Sequence, residues 1–123
     1  MSGTGHQHIF ASDIAWRDGS DGVQYAAFAT DAENPSAPLI VLSKFEPGSS
    51  VAPHTHAANY FEYIIEGEQT VGKVTFRAGD VRMVEGGTGY GPIRVGPQGC
   101  TVLIMFQSAS GAMTEMLPRK AAS

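Results

Sequence analysis

The alternation of short apolar runs with glycine-containing turns is the feature that most restricts how this chain can fold. Runs rich in Val, Ile, Thr, Tyr and Phe predict β-strands, and turn sequences such as EPGSS, RAGD and GPQG separate them. No window of a dozen residues carries the apolar stripe of an amphipathic helix. The predicted strands are 22–30, 38–45, 59–66, 69–76, 80–84 and 100–106. The pattern therefore predicts an all-β sandwich or barrel.

The length of 123 residues predicts one domain, residues 1–123, with a core from about residue 9 to residue 117. Residues 31–38 contain two prolines and are predicted to form a surface loop between early strands. Residues 112–117 are a candidate last strand. The sequence shows neither an internal repeat nor a linker, so nothing in it divides the chain.

The charge pattern narrows the classes of partner. A net charge of −4 and a pI near 5.4, without a basic stripe, argue against a nucleic-acid-binding protein. No apolar segment approaches the ~20 residues of a membrane span, and the N-terminal MSGTGHQHIF lacks the features of a signal peptide. We therefore expect a cytoplasmic protein. The single cysteine, Cys100, lies in the apolar run CTVLIMF and is predicted to be a buried thiol rather than a nucleophile.

The segment PHTHAANYFEY, residues 53–63, carries the residues best suited to chemistry. Strand alternation places Tyr60 and Glu62 on one face, and His54 and His56 share a face if their segment is extended. Two imidazoles beside a carboxylate suit Fe, Zn, Mn, Ni or Cu. The sequence therefore predicts His54, His56 and Glu62 as metal ligands. The alternative is that the histidines are polar residues at a barrel mouth and that Glu62 faces solvent.

The same segment resembles a known family. GSSVAPHTHAANYFEYIIEG is similar to the first motif of the cupin superfamily: Gly, five residues, His-x-His, three or four residues, Glu, six residues, Gly. GDVRMVEGGTGYGPI resembles the second motif, with Glu85 where proline is usual and Tyr90 where histidine is usual. The positions that match are Gly48, His54, His56, Gly67, Gly79 and Gly87. The resemblance implies a double-stranded β-helix, or jelly-roll barrel, that is commonly a homodimer.

The chain departs from this pattern at two ligand positions. Counting back seven residues from Gly67 places Tyr60, not a glutamate, in the acid position of the motif. Glu62 follows two residues later on the same face, about 7 Å along an extended strand. Tyr90 takes the place of the fourth ligand, where it could be a ligand, an acid or base, or a hydrogen-bond donor.

Two functions are open on this sequence. The first is a mononuclear metal enzyme of the oxygenase, isomerase or lyase type acting on a small organic acid, carbonyl or phenolic compound. In it Glu62 and Tyr90 are the predicted catalytic residues. The second is a metal-free pocket, lined by Tyr60 and Tyr90, that binds a small ligand or performs acid–base catalysis through Glu62 and Tyr90.

Overall fold

The computed structural model describes residues 5–117, so the expected domain limits at residues 1 and 123 lie outside the described part. The described chain is built of antiparallel β-strands and one 3-10 helix, Ala11–Asp13. The strands are β1 Arg17–Asp18, β2 Val23–Ala29, β3 Leu39–Phe45, β4 Ser50–Val51, β5 His54–His56, β6 Tyr60–Val71, β7 Val74–Arg77, β8 Val81–Val84, β9 Ile93–Phe106 and β10 Thr114–Met116. No helix within residues 5–117 has the length and apolar character needed to cross a membrane.

The long strands β6 and β9 pair with each other and organise the larger sheet. Its order is β1-β2-β3-β9-β6-β7, with β4 added to β9 and β8 added to β6. A second sheet of two strands pairs β10 with β5. The prediction of an all-β jelly-roll is confirmed. The loop over residues 31–38 and the last strand within 112–117 are present as well.

The predicted break between the strands 59–66 and 69–76 is wrong, because β6 continues through Gly67 to Val71 and turns back only at Gly72. Gly67 has a φ of 78°, and the pairing of β6 with β9 changes register on either side of it. A Cβ on Gly67 would collide with the carbonyl oxygen of Gly99 on β9. The glycine therefore forms a β-bulge that bends a continuous strand against its neighbour. The segment GPQG is likewise part of β9 rather than a turn between strands.

The period of two along β6 and β9 separates an inner face from an outer one. Ile64 and Val102 are completely buried, and Tyr60, Ile104 and Phe106 pack with them. The outer face of β6 and β8 instead leaves large apolar side chains in solvent, namely Tyr63, Ile65, Val81 and Met83. The inner face of the larger sheet and the β5–β10 pair together line an internal cavity.

Candidate functional site

A cavity of about 510 Å³ lies inside the barrel, between the inner faces of β2, β3, β6 and β9 and the β5–β10 sheet. Such a volume is in the range of small-molecule sites. Most of its wall is apolar, including Leu39, Val41, Ile104 and Phe106. The polar side chains that line it include all the site residues predicted from the sequence: His54, His56, Tyr60, Glu62 and Tyr90. Residues 36 positions apart in the chain thus meet in one site.

The two imidazoles are held by backbone carbonyls. His54 and His56 are only 6% and 7% exposed on the short strand β5. Nδ1 of His54 lies 2.9 Å from the carbonyl oxygen of Ala52, and Nδ1 of His56 lies 2.9 Å from that of Ala112. Because a carbonyl oxygen can only accept, Nδ1 is the donor in both rings, which leaves Nε2 of each ring to act as the acceptor.

Tyr90 lies directly opposite His54, and the two residues exchange backbone hydrogen bonds of 3.0 and 3.1 Å. The Tyr90 hydroxyl donates to Nε2 of His54 over 2.9 Å. Among residues 5–117 the structure shows no hydrogen bond to Nε2 of His56. Burial lowers the pKa of His56, although its bond to Ala112 opposes this, so its ring is neutral at pH 7.

Burial likewise raises the pKa of Tyr90 and of Tyr60, so both phenols keep their protons at pH 7. Within the described part of the chain, the Tyr60 hydroxyl is buried without a hydrogen-bond partner. The ring of Tyr60 packs against Phe106 and His56, with centroids 5.1 and 5.2 Å away. Tyr60 and Tyr90 also influence each other's pKa, so these two phenols and His54 form one cluster in the cavity wall.

Glu62 is buried to 4% exposure and is bound by two residues that the sequence analysis did not identify, Arg82 and Gln69. Arg82 on β8 pairs directly across from Glu62; its Nε donates to Glu62 Oε2 over 3.1 Å, and its Nη2 lies 2.9 Å from the same oxygen. Gln69 Nε2 donates to Oε2 over 2.9 Å. Burial lowers the pKa of Arg82, but Glu62, Tyr60 and Tyr90 together more than offset this, so the net pKa is raised and the guanidinium stays charged. Its Cζ also lies 4.5 Å from the centroid of the Tyr90 ring.

The inward period of β8, which places Arg82 and Val84 on the same face, was the only sequence signal for Arg82. It does not identify the partner of Arg82 without the cross-strand register. The inward position of Gln69 is even harder to predict from the sequence. The bulge at Gly67 changes the register of β6, so simple alternation from Glu62 does not place Gln69.

The donors of the cavity fit a metal ion only in part. The imidazoles suit one, because each is anchored through Nδ1 as metal-binding histidines commonly are. Glu62 fits less well, because Oε2 already accepts from Arg82 and Gln69, the neighbouring guanidinium balances its charge, and only Oε1 is left. Residues 5–117 contain no group of three or more His, Cys, Asp or Glu side chains that could hold a metal. Metal binding by His54, His56 and Glu62 therefore stays a prediction.

An antiparallel jelly-roll with a His-x-His strand facing its internal cavity defines a cupin. More narrowly, the chain belongs to the family of ChrR cupin-like domains, whose sequence profile matches residues 4–110. The predicted membership of the cupin superfamily is thereby confirmed. No protein with a curated description matches the chain significantly.

Solved structures share the fold at low sequence identity. A chain from the complex of Rhodobacter sphaeroides SigE with the anti-sigma ChrR matches with a TM-score of 0.66 and 21% identity, covering 79% of this chain and 50% of that one. This protein thus spans half of that relative's length. The polyketide cyclase RemF from Streptomyces resistomycificus matches with a TM-score of 0.76 and 12% identity over 94% and 87% of the two chains. An RmlC-like cupin from Shewanella frigidimarina matches with a TM-score of 0.70 and 20% identity over 82% and 89%. These likenesses establish the fold alone.

Proposed function

We propose that this protein binds a small organic molecule in the barrel cavity and performs acid–base chemistry on it. The observation that supports this proposal is the hydrogen-bonded pair of Tyr90 and His54 at the polar end of an otherwise apolar cavity. A phenol that already donates to an imidazole can accept a proton from a ligand as its own proton passes to Nε2. The Arg82 guanidinium, whose Cζ lies 4.5 Å from the centroid of the Tyr90 ring, packs against that ring and holds it in place.

Each step of the proton transfer uses a contact of the chain itself. The ligand's proton moves to the Tyr90 oxygen while the phenolic proton moves to Nε2 of His54, so the number of protons is conserved. The resulting imidazolium keeps its Nδ1–H bond to Ala52, which orients the ring for the return transfer. Glu62 presents its second oxygen, Oε1, to which no hydrogen bond is seen within residues 5–117, and it could hold the ligand beside Tyr90.

The proposal is tested by ligand-observed NMR with a fragment library and two matched variants. Val41→Trp places a large side chain in the cavity wall, whereas Val74→Trp makes the same substitution at an exposed position outside it. We expect fragment binding to the wild type and to Val74→Trp, and its loss in Val41→Trp. Thermal melting confirms that both variants are folded. If the wild type binds nothing, or if Val41→Trp keeps every hit, the cavity is not the binding site.

Metal-dependent chemistry is the second candidate, and the anchoring of both imidazoles through Nδ1 is the observation that favours it. When bound, a divalent transition metal such as Fe, Zn, Mn, Ni or Cu would polarise an oxygen of the ligand. The test is the metal content of protein purified without an affinity tag. One equivalent that is lost in His56→Ala but kept in Glu62→Gln would support a site on the histidines. Less than about a tenth of an equivalent, unchanged after reconstitution, would favour the metal-free mechanism.

We infer that a second copy of this chain covers the outer face of β6 and β8. The cytoplasmic location of the protein stays a prediction. Tyr63, Ile65, Val81 and Met83 are exposed and apolar on neighbouring strands, and isologous interfaces commonly cover such a face. Light scattering should give a dimer for the wild type and a monomer for Met83→Lys. A monomeric wild type would leave this face to another partner; the relative ChrR was crystallised with SigE.

A further inference from the structure

The four polar side chains His54, His56, Glu62 and Tyr90 in the cavity wall offer mainly hydrogen-bond acceptors to a ligand. We propose that this cavity selects ligands that present an uncharged hydroxyl group on an aromatic body, and that it discriminates against carboxylates. This inference rests on the proposed small-molecule function and narrows its ligand class.

His56 supplies the first acceptor. Its Nδ1–H is committed to the carbonyl oxygen of Ala112, on the segment that leads into β10, so the ring cannot turn without losing a buried bond. Nε2 of this buried ring therefore faces the ligand with a lone pair. A ligand O–H would donate to Nε2, whereas a carboxylate has no hydrogen to donate and its lone pairs would be repelled by that of Nε2.

Glu62 supplies the second acceptor. Its donors Arg82 and Gln69 converge on Oε2, so that within residues 5–117 no donor is seen on Oε1. The charge of Arg82 is matched by that of Glu62, so this end of the cavity has no surplus positive charge for an anion. A bound carboxylate would lie beside the Glu62 carboxylate, and like charges at such distances repel.

The phenols do not reverse this balance. Tyr90 donates its hydrogen to His54, and its oxygen already interacts with Tyr60 and Arg82, so Tyr90 offers no donor to a ligand. The Tyr60 hydroxyl is buried from solvent and interacts with Tyr90, so it adds little donor capacity for a ligand. A hydroxyl-bearing ligand satisfies such a site, whereas a ligand that lacks the donor leaves buried acceptors unpaired, which weakens its binding.

The apolar part of the cavity wall indicates what kind of ring system the ligand carries. Val41, Ile104 and Phe106 line the cavity, and Phe106 forms an aromatic cluster with Tyr60 and His56. Aromatic walls of this kind pack best against flat rings. The volume of about 510 Å³ accommodates more than one ring. A fused two-ring phenol is therefore the natural probe.

The test compares three probes that share one ring system: 2-naphthol, its methyl ether and 2-naphthoate, titrated calorimetrically at pH 7. The naphthol is an uncharged donor there, the ether lacks the donor, and the naphthoate is an anion. We expect the naphthol to bind at least about tenfold more tightly than either of the others. Equal affinity for the ether or for the naphthoate would overturn the inference while leaving the cavity function intact. Failure of all three to bind would overturn the cavity function and the inference with it.

Variants then assign the selectivity to residues. His56→Phe keeps the ring and removes the acceptor, so the affinity for the naphthol should fall about tenfold while that for the ether is unchanged. Glu62→Gln should weaken the rejection of the naphthoate, and Glu66→Gln, an exposed change on the same strand, should change nothing. If Glu62→Gln does not fold, His56→Phe decides the matter. The titrations are repeated with excess chelator; a preference that vanishes there would mean that a metal recognises the ligand, and would refute the inference.

Discussion

Replacement of Arg82 by methionine tests the structural basis of the site most directly. The change keeps much of the side-chain length and removes the guanidinium, leaving the buried Glu62 carboxylate with Gln69 as its remaining donor. Arg82 and Glu62 are 10% and 5% exposed, so water cannot replace the lost partner. An uncompensated buried charge is expected to destabilise the fold strongly.

The magnitude follows from the geometry. Two unit charges about 4 Å apart at an effective dielectric constant of about 20 attract by about 4 kcal/mol. The loss of one partner of a buried pair typically costs about 3–5 kcal/mol, which agrees. We therefore expect Arg82→Met to lower the free energy of unfolding by about 4 kcal/mol. Arg77→Met is the matched control, because Arg77 and Glu68 form an ion pair at 3.6 Å with side chains 71% and 36% exposed. That change should cost less than about 1 kcal/mol.

Urea unfolding at pH 7 measures both values, and a double-mutant cycle completes the test. Glu62→Leu together with Arg82→Met removes both charges and should be less destabilised than Arg82→Met alone, because no unpaired charge stays buried. The reasoning would be refuted if Arg82→Met were as mild as Arg77→Met. It would also fail if the losses of the two single variants simply added in the double variant.

Two further predictions concern the backbone and the thiol. Gly67→Ala should lower the free energy of unfolding in urea by at least about 3 kcal/mol, because it combines a positive φ with a collision against Gly99. Gly72→Ala, at a position with a positive φ and open space, should lower it by about 1–2 kcal/mol. Equal losses in the two variants would contradict the bulge at Gly67. Burial raises the pKa of Cys100 to about 12, so a disulfide reagent at pH 8 should label the native protein far more slowly than the unfolded one. Because the folded pKa lies above the ordinary value of 9.0, the stability contributed by the protonated thiol is complete below pH 9 and is lost as the pH rises from 9 towards 12. Stability that increased over that range relative to Cys100→Ala would reverse the sign of this argument.

Local pattern predicted much of the fold and part of the site. The period of two in YFEYIIE placed Tyr60 and Glu62 on the face that the structure buries, because alternation is a property of any strand. The His-x-His spacing of His54 and His56 likewise placed both rings on one side of β5. Glycine is a less reliable signal: Gly67 falls between two predicted strands, whereas its positive φ in the structure belongs to a bulge within one strand.

Strand patterns and the His-x-His spacing predicted an all-β chain and the five polar side chains that meet in the cavity. The bonding of those side chains depends on the folded chain. Arg82 meets Glu62 from 20 residues away, and Ala112 holds His56 from 56 residues away. Both contacts depend on cross-strand register and on the packing of β10 against β5. Strand alternation specifies the face that a side chain occupies, whereas its partner is set by the long-range pairing that closes the barrel.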